Sequence, residues 1–110
     1  LLGRYTPASE LPQCRNKSSV TVVGLVTARQ SPGTAGGITF MTLEDDTGNT
    51  NVIVWAATAK AQKKSFLTSK LVKVKGILER EGKVIHVIAG KLVDLSNEMN
   101  DLQIISRDFH

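Results

Sequence analysis

Phe40, Thr42, Asn51 and Ile53 are the side chains of this 110-residue sequence whose types and spacing could act together. They lie in the run ITFMTLEDDTGNTNVIVW, residues 38–55, where two β-branched and aromatic stretches flank the acidic turn Asp45-Asp46-Thr47-Gly48. If Met41, Leu43, Val52 and Val54 face a core, the two-residue period of a strand puts Phe40, Thr42, Asn51 and Ile53 together on the opposite face. An exposed aromatic ring beside a hydroxyl and an amide offers non-covalent chemistry: the ring stacks on a flat ligand and the amide reads its edge. Trp55 stands at the end of this face, but at a strand-to-helix junction it is expected to be buried against the helix.

The residues that could do covalent chemistry are not arranged for it. Glu44, Asp45 and Asp46 are consecutive on a hairpin turn, where neighbouring side chains diverge and acids serve the backbone's own hydrogen bonds. His86 and His110 have no cysteine or histidine at ligand spacing, so no metal site is expected, and His86 reads as a half-buried sheet residue. No serine or cysteine sits in a nucleophile setting, and no cofactor motif is present. The glycine-rich stretch Gly33 to Gly37 lacks the lysine, hydroxyl and following helix of a phosphate-binding loop, and is expected to act as a clamp between the first two strands.

Charge adds a polyanion to the list of possible ligands. The net charge is +4, and it is concentrated: between residues 60 and 91 nine lysines and arginines face two glutamates, whereas the flanking segments are neutral or acidic. Such a field favours nucleic acid, although a solvated lysine face has the same composition. Arg29, Lys73, Lys75 and Lys83 are the candidates for phosphate contacts.

The elements that must position these residues follow from periodicity. Residues 1–18, with Pro7 and Pro12, read as a linker or an N-terminal arm. A first strand runs from Ser19 to Gln30, with Gly24 at a bulge or bend. After the hairpin, Ala56 to Leu67 is alanine- and lysine-rich without glycine or proline, which predicts one helix. A fourth strand spans Leu71 to Glu79 and a fifth Lys83 to Val93, joined by the turn Arg80-Glu81-Gly82. Residues 96–110 are expected to form a short helix capped by Ser96 and a tail, with Ile104 and Ile105 packing back and Phe109 free. Three strands, a helix and two strands predict an all-β domain over residues 19–95, a five-stranded Greek-key OB-fold barrel with one helix between strands 3 and 4. A small β-sandwich is the alternative, but it requires more strands and leaves the helix unexplained.

Length allows one domain with a real core. The single cysteine, Cys14, cannot form an internal disulfide, and no apolar run is long enough to span a bilayer. A cytoplasmic protein with no membrane partner is expected.

The segments Arg29-Gln30-Ser31-Pro32-Gly33-Thr34-Ala35, Leu43-Glu44-Asp45-Asp46-Thr47-Gly48 and Gly82-Lys83-Val84-Ile85-His86-Val87-Ile88-Ala89, with an end near Ser106-Arg107-Asp108-Phe109-His110, occur together in one family. Over residues 20–110 the chain resembles the OB domain near the C-terminus of bacterial C-family DNA polymerases, and within them the error-prone branch of the DNA polymerase III alpha subunit. The F-x-x-L-x-D-x-x-G core, Phe40 to Gly48, is also shared with the anticodon-binding domains of class II aminoacyl-tRNA synthetases. In those domains the matching phenylalanine stacks on a base and a strand 3 amide reads a base edge, which implies these roles for Phe40 and Asn51. Glu44 stands where the synthetase domains usually carry arginine, which counts against tight RNA binding.

The resemblance implies a module that contacts single-stranded template DNA during DNA synthesis or translesion repair and performs no chemistry itself. The nucleotidyltransferase site of the parent chain would lie outside this segment. Its expected partners are single-stranded DNA, the rest of the polymerase chain and translesion accessory proteins; the alternative is a protein-interaction module docking such accessory proteins.

Overall fold

The computed structural model describes residues 4–31 and 37–96. The clamp between strands 1 and 2, the helix through Leu102 and the tail packing through Ile104 and Ile105 lie outside the described residues.

Five strands close into a barrel: β1 (Ser19–Gln30), β2 (Thr39–Asp45), β3 (Gly48–Val54), β4 (Leu71–Glu81) and β5 (Val84–Asp94). Their order around the barrel is β1-β2-β3-β5-β4, with β4 returning to β1. All neighbours are antiparallel except β3 and β5, which meet in parallel at Val52 with Val87 and Ile53 with Ile88. This is the OB-fold that the strand order predicts.

Closure depends on β1 serving two neighbours. Its first half, Ser19 to Leu25, pairs with β4, and its second half, from Leu25 onward, pairs with β2. The strand bends between them, with a register shift between Val26 and Ala28. Gly24 sits at the bend because a Cβ there would lie 2.9 Å from the Leu43 Cβ and 3.0 Å from the Glu44 nitrogen. Gly76 is still more constrained, since its Cβ would lie 2.1 Å from the Ile88 carbonyl oxygen. The register shift in β4 beside it, which leaves Gly90 of β5 unpaired, brings the two backbones into this close approach.

Alternate residues of every strand fill the interior. Val22, Met41, Leu43, Val52, Val54, Val72, Val74, Leu78 and Val87 are at most 1% exposed, each contributing about 1.5–3 kcal/mol by leaving water. Leu11 and Phe66 complete the core from outside the sheet. Leu11 belongs to a 3-10 helix, Ala8–Gln13, in an N-terminal segment that packs on the barrel. Thr6 N–H donates to the Thr21 carbonyl (2.7 Å), and the Arg80 guanidinium reaches the carbonyls of Pro12 and Cys14 (2.5 and 2.7 Å).

The single helix predicted over Ala56–Leu67 is two short ones, α1 (Ala56–Ala61) and α2 (Lys63–Thr68). The break is at Gln62, with φ −122° and ψ 41°. Its side-chain amide donates to the Gly90 carbonyl (3.0 Å) and its oxygen accepts from Leu92 N–H (2.6 Å). Gln62 thus satisfies backbone groups at the β5 bulge, which outweighs continuing the helix.

Candidate nucleic-acid interface

The β2–β3 ladder sets opposite one another the side chains that the two-residue period groups. Phe40 pairs with Ile53, Thr42 with Asn51 and Glu44 with Asn49, while Met41 and Val52 pair inside the barrel. Phe40 is 41% exposed, Asn51 is exposed, and Thr42 and Ile53 are half-buried beneath them. Across the other edge of β2, Gln30 pairs with Phe40 and Ala28 with Thr42, so small or polar side chains flank the ring and leave it open.

The turn at one end of this face is held by its own acid. Asp45 is buried; its Oδ1 accepts from Thr47 N–H (2.7 Å), Thr47 Oγ1 (2.7 Å) and Gly48 N–H (3.0 Å). Its Oδ2 accepts from Ala8 N–H (3.0 Å), which fastens the N-terminal segment to the hairpin. Asp45 is therefore committed to the backbone. Tyr5 lies in the same region; burial, reinforced by the fields of Asp45 and Asp46, raises its phenol pKa above the usual 10.0, so it stays neutral at pH 7. Among the described residues no group of three His, Cys, Asp or Glu side chains could hold a metal ion.

The basic candidates are divided by the barrel. Lys83 lines a hollow of about 220 Å³ with Asn49 and Asn51, so it stands at the edge of the Phe40 face. Lys73 and Lys75 point outward from β4, opposite Val93 and Lys91 of β5 and Val23 and Thr21 of β1. Strand β1 separates them from β2, and β5 separates them from β3. Arg29 pairs with the inward-facing Met41, and its Nε donates to the Phe66 carbonyl (2.9 Å) while Nη2 reaches the Ser69 carbonyl. These carbonyls belong to the C-terminal end of α2, where a cation is favoured by both hydrogen bonding and the helix dipole.

Trp55 corrects the expectation of burial: it is 46% exposed. Its extended backbone (φ −71°, ψ 153°) carries the alternation of Asn51 and Ile53 one step further before α1 begins. The signal was in the sequence, in the spacing Asn51, Ile53, Trp55. The same alternation also places Asn49 and Glu44 on this face.

A family model described as an OB-fold nucleic acid binding domain matches residues 20–95. The chain belongs to this family. The OB domain is 63% identical over 109 residues to an error-prone DNA polymerase of Vibrio vulnificus, covering 99% of this chain and 11% of the relative. It is 64% identical over its full 110 residues to an error-prone DNA polymerase of Vibrio parahaemolyticus, again spanning 11% of that protein. The chain thus spans about a ninth of the length of these relatives. Among solved structures, the asparaginyl-tRNA synthetase of Pyrococcus horikoshii superposes with a TM-score of 0.70 at 19% identity, over 84% of this chain and 23% of that one. An OBody bound to hen egg-white lysozyme superposes with a TM-score of 0.65, also at 19% identity, over 84% of this chain and 94% of the OBody. These likenesses show the shared fold.

Proposed function

We propose that this OB domain is part of an error-prone DNA polymerase and holds single-stranded template DNA on the β2–β3 face, with the nucleotidyl-transfer chemistry assigned to residues of the parent outside this segment. The observation that carries the reading is the open Phe40 ring, paired with Ile53 and bordered by Thr42 and Asn51, on a barrel of a nucleic-acid-binding family. The ring supplies a stacking surface indifferent to base identity, Thr42 and Asn51 hydrogen-bond to base edges, and Lys83 neutralises phosphate. The high identity to error-prone polymerases supports DNA over RNA as the ligand, in keeping with the acidic Glu44 on the same face.

Titrating the domain with labelled single-stranded and duplex DNA at several salt concentrations tests this. Single strands should bind more tightly than duplex, because stacking requires unpaired bases, and the logarithm of affinity should fall with that of salt by about 0.7 per phosphate neutralised. Equal affinity for duplex would contradict the stacking mechanism.

A second reading, a protein-docking module for accessory translesion proteins, is favoured by Ile77 (39% exposed) on β4 and Val84 (50% exposed) on β5, strands that do not border β2.

A further inference from the structure

Trp55 and the helical side of the barrel extend the β2–β3 face. Phe40 lies opposite Ile53, so Trp55, two residues further along, is its diagonal neighbour if the ladder is continued by one residue. Diagonal neighbours on a sheet are about 7–8 Å apart, roughly twice the ~3.4 Å rise between stacked bases. Both aromatic side chains are more than 40% exposed. Beyond them the chain forms an apolar hollow of about 380 Å³, lined by Gly37, Ala56, Ala59, Phe66 and Leu67 and rimmed by Lys60 and Lys63. Gly37, three residues before Phe40, comes against Ala56: a Cβ on it would lie 2.7 Å from the Ala56 Cβ. The hollow therefore begins where the aromatic face ends. Lys83 stands beside Asn49 and Asn51 at the other end, where Glu44 lies opposite Asn49, so lysines flank both ends of a face whose middle is aromatic and amide.

We infer that single-stranded nucleic acid runs along this surface from Lys83 across Asn51 and Phe40 to Trp55, with Trp55 as a second stacking residue and Lys60 and Lys63 as the phosphate contacts beyond it. The inference rests on the reading of the β2–β3 face as the nucleic-acid site and specifies where the strand goes after it. It also replaces Arg29, whose guanidinium is held by the carbonyls of Phe66 and Ser69, and Lys73 and Lys75, which lie across the barrel, with lysines that adjoin the aromatic face. The occupant is a single strand because charge at the ends and flat rings between suit alternating phosphates and bases.

Trp55 is the one tryptophan of the chain, so its fluorescence reports directly on stacking. An oligothymidylate of about twelve nucleotides, within the roughly 4–16 that one OB barrel covers, should quench that emission in step with binding measured by anisotropy of a labelled strand. Trp55→Ala should weaken binding about tenfold, and Trp55→Phe should restore most of it. Lys60→Glu with Lys63→Glu should lower the magnitude of the salt slope by about 1.4, the value for two phosphates on a single strand. If the oligothymidylate binds and Phe40→Ala weakens it, but emission is unchanged and Trp55→Ala binds as the parent does, the path beyond Phe40 is wrong and the β2–β3 reading stands. Indifference of binding to both Phe40→Ala and Trp55→Ala, or absence of binding at low salt, overturns both.

Discussion

The barrel has two outer faces of opposite character. On β2 and β3 the outward residues are Phe40, Thr42, Glu44, Asn49, Asn51 and Ile53, a ring and an aliphatic among polar groups whose one charge is negative. On β4 and β5 they include Lys73, Lys75, Ile77, His86, Ile88, Lys91 and Val93, lysines among aliphatics with one half-buried imidazole. The first offers a large exposed ring; the second offers charge and grease with no Phe, Tyr or Trp side chain. A count of lysines merges the two, because it ignores which strands become neighbours when the sheet closes. Exposed large rings therefore single out the proposed face where charge, spread around the whole barrel, does not.

The two faces also differ in how they are built, and the largest effect should come from breaking the far one. Gly76→Ala forces a methyl against the Ile88 carbonyl, so the β4–β5 pair must part. A loss of about 3 kcal/mol in denaturant unfolding is expected, with affinity for single-stranded DNA retained by the folded fraction. Phe40→Ala should do the reverse. It should reduce affinity by about 2 kcal/mol per stacked base while leaving the melting temperature nearly unchanged, since the ring stands outside the core; a sharp fall in melting temperature would show Phe40 to be structural. Arg29→Ala should cost about 1.5 kcal/mol of stability, because two carbonyls at the end of α2 lose a charged donor, with a smaller effect on binding than Phe40→Ala. Reversing Lys73 and Lys75 together should change affinity less than about threefold at physiological salt, where the Debye length is about 8 Å. A loss as large as that of Phe40→Ala would erase the distinction between the faces.

The strands were legible because their signal is local. Met41, Leu43, Val52 and Val54 alternate with Phe40, Thr42, Asn51 and Ile53, and the structure buries the first set and turns the second outward. The Asp45-Asp46-Thr47-Gly48 turn was equally plain, since its acid bonds to residues two and three positions ahead. What sequence could not supply is contact across the barrel. Gln62 breaks the helix for partners at Gly90 and Leu92, about thirty residues away, and Arg29 resembles a phosphate ligand until α2 places two carbonyls before it. Lys73 and Lys75 follow the same rule, because their distance from Phe40 is set by strand order and not by any nearby residue.

The smallest expected effect is one of pH, at the far end of the second face. Asp94 has its carboxyl pKa lowered, chiefly by hydrogen bonds from Ser96, whose N–H donates to Oδ1 at 2.8 Å. A depressed carboxylate pKa stabilises the fold at pH values above its unfolded value, and that contribution disappears as pH falls through the folded one. Stability should therefore decline slightly below about pH 4, and Asp94→Asn should flatten the decline in thermal melts taken across that range. DNA binding near neutral pH should not respond to this substitution.

The central claim is that nucleic acid is held on the β2–β3 face, and backbone amide shifts measured by NMR during titration with an oligothymidylate test it most directly. The largest changes should fall in Thr39–Asp45 and Gly48–Val54, with Lys73, Lys75 and Lys91 little moved. Largest changes at Thr21, Lys73, Lys75 and Lys91, with Phe40 and Asn51 unmoved, would place the strand on the opposite side of the barrel and contradict the account.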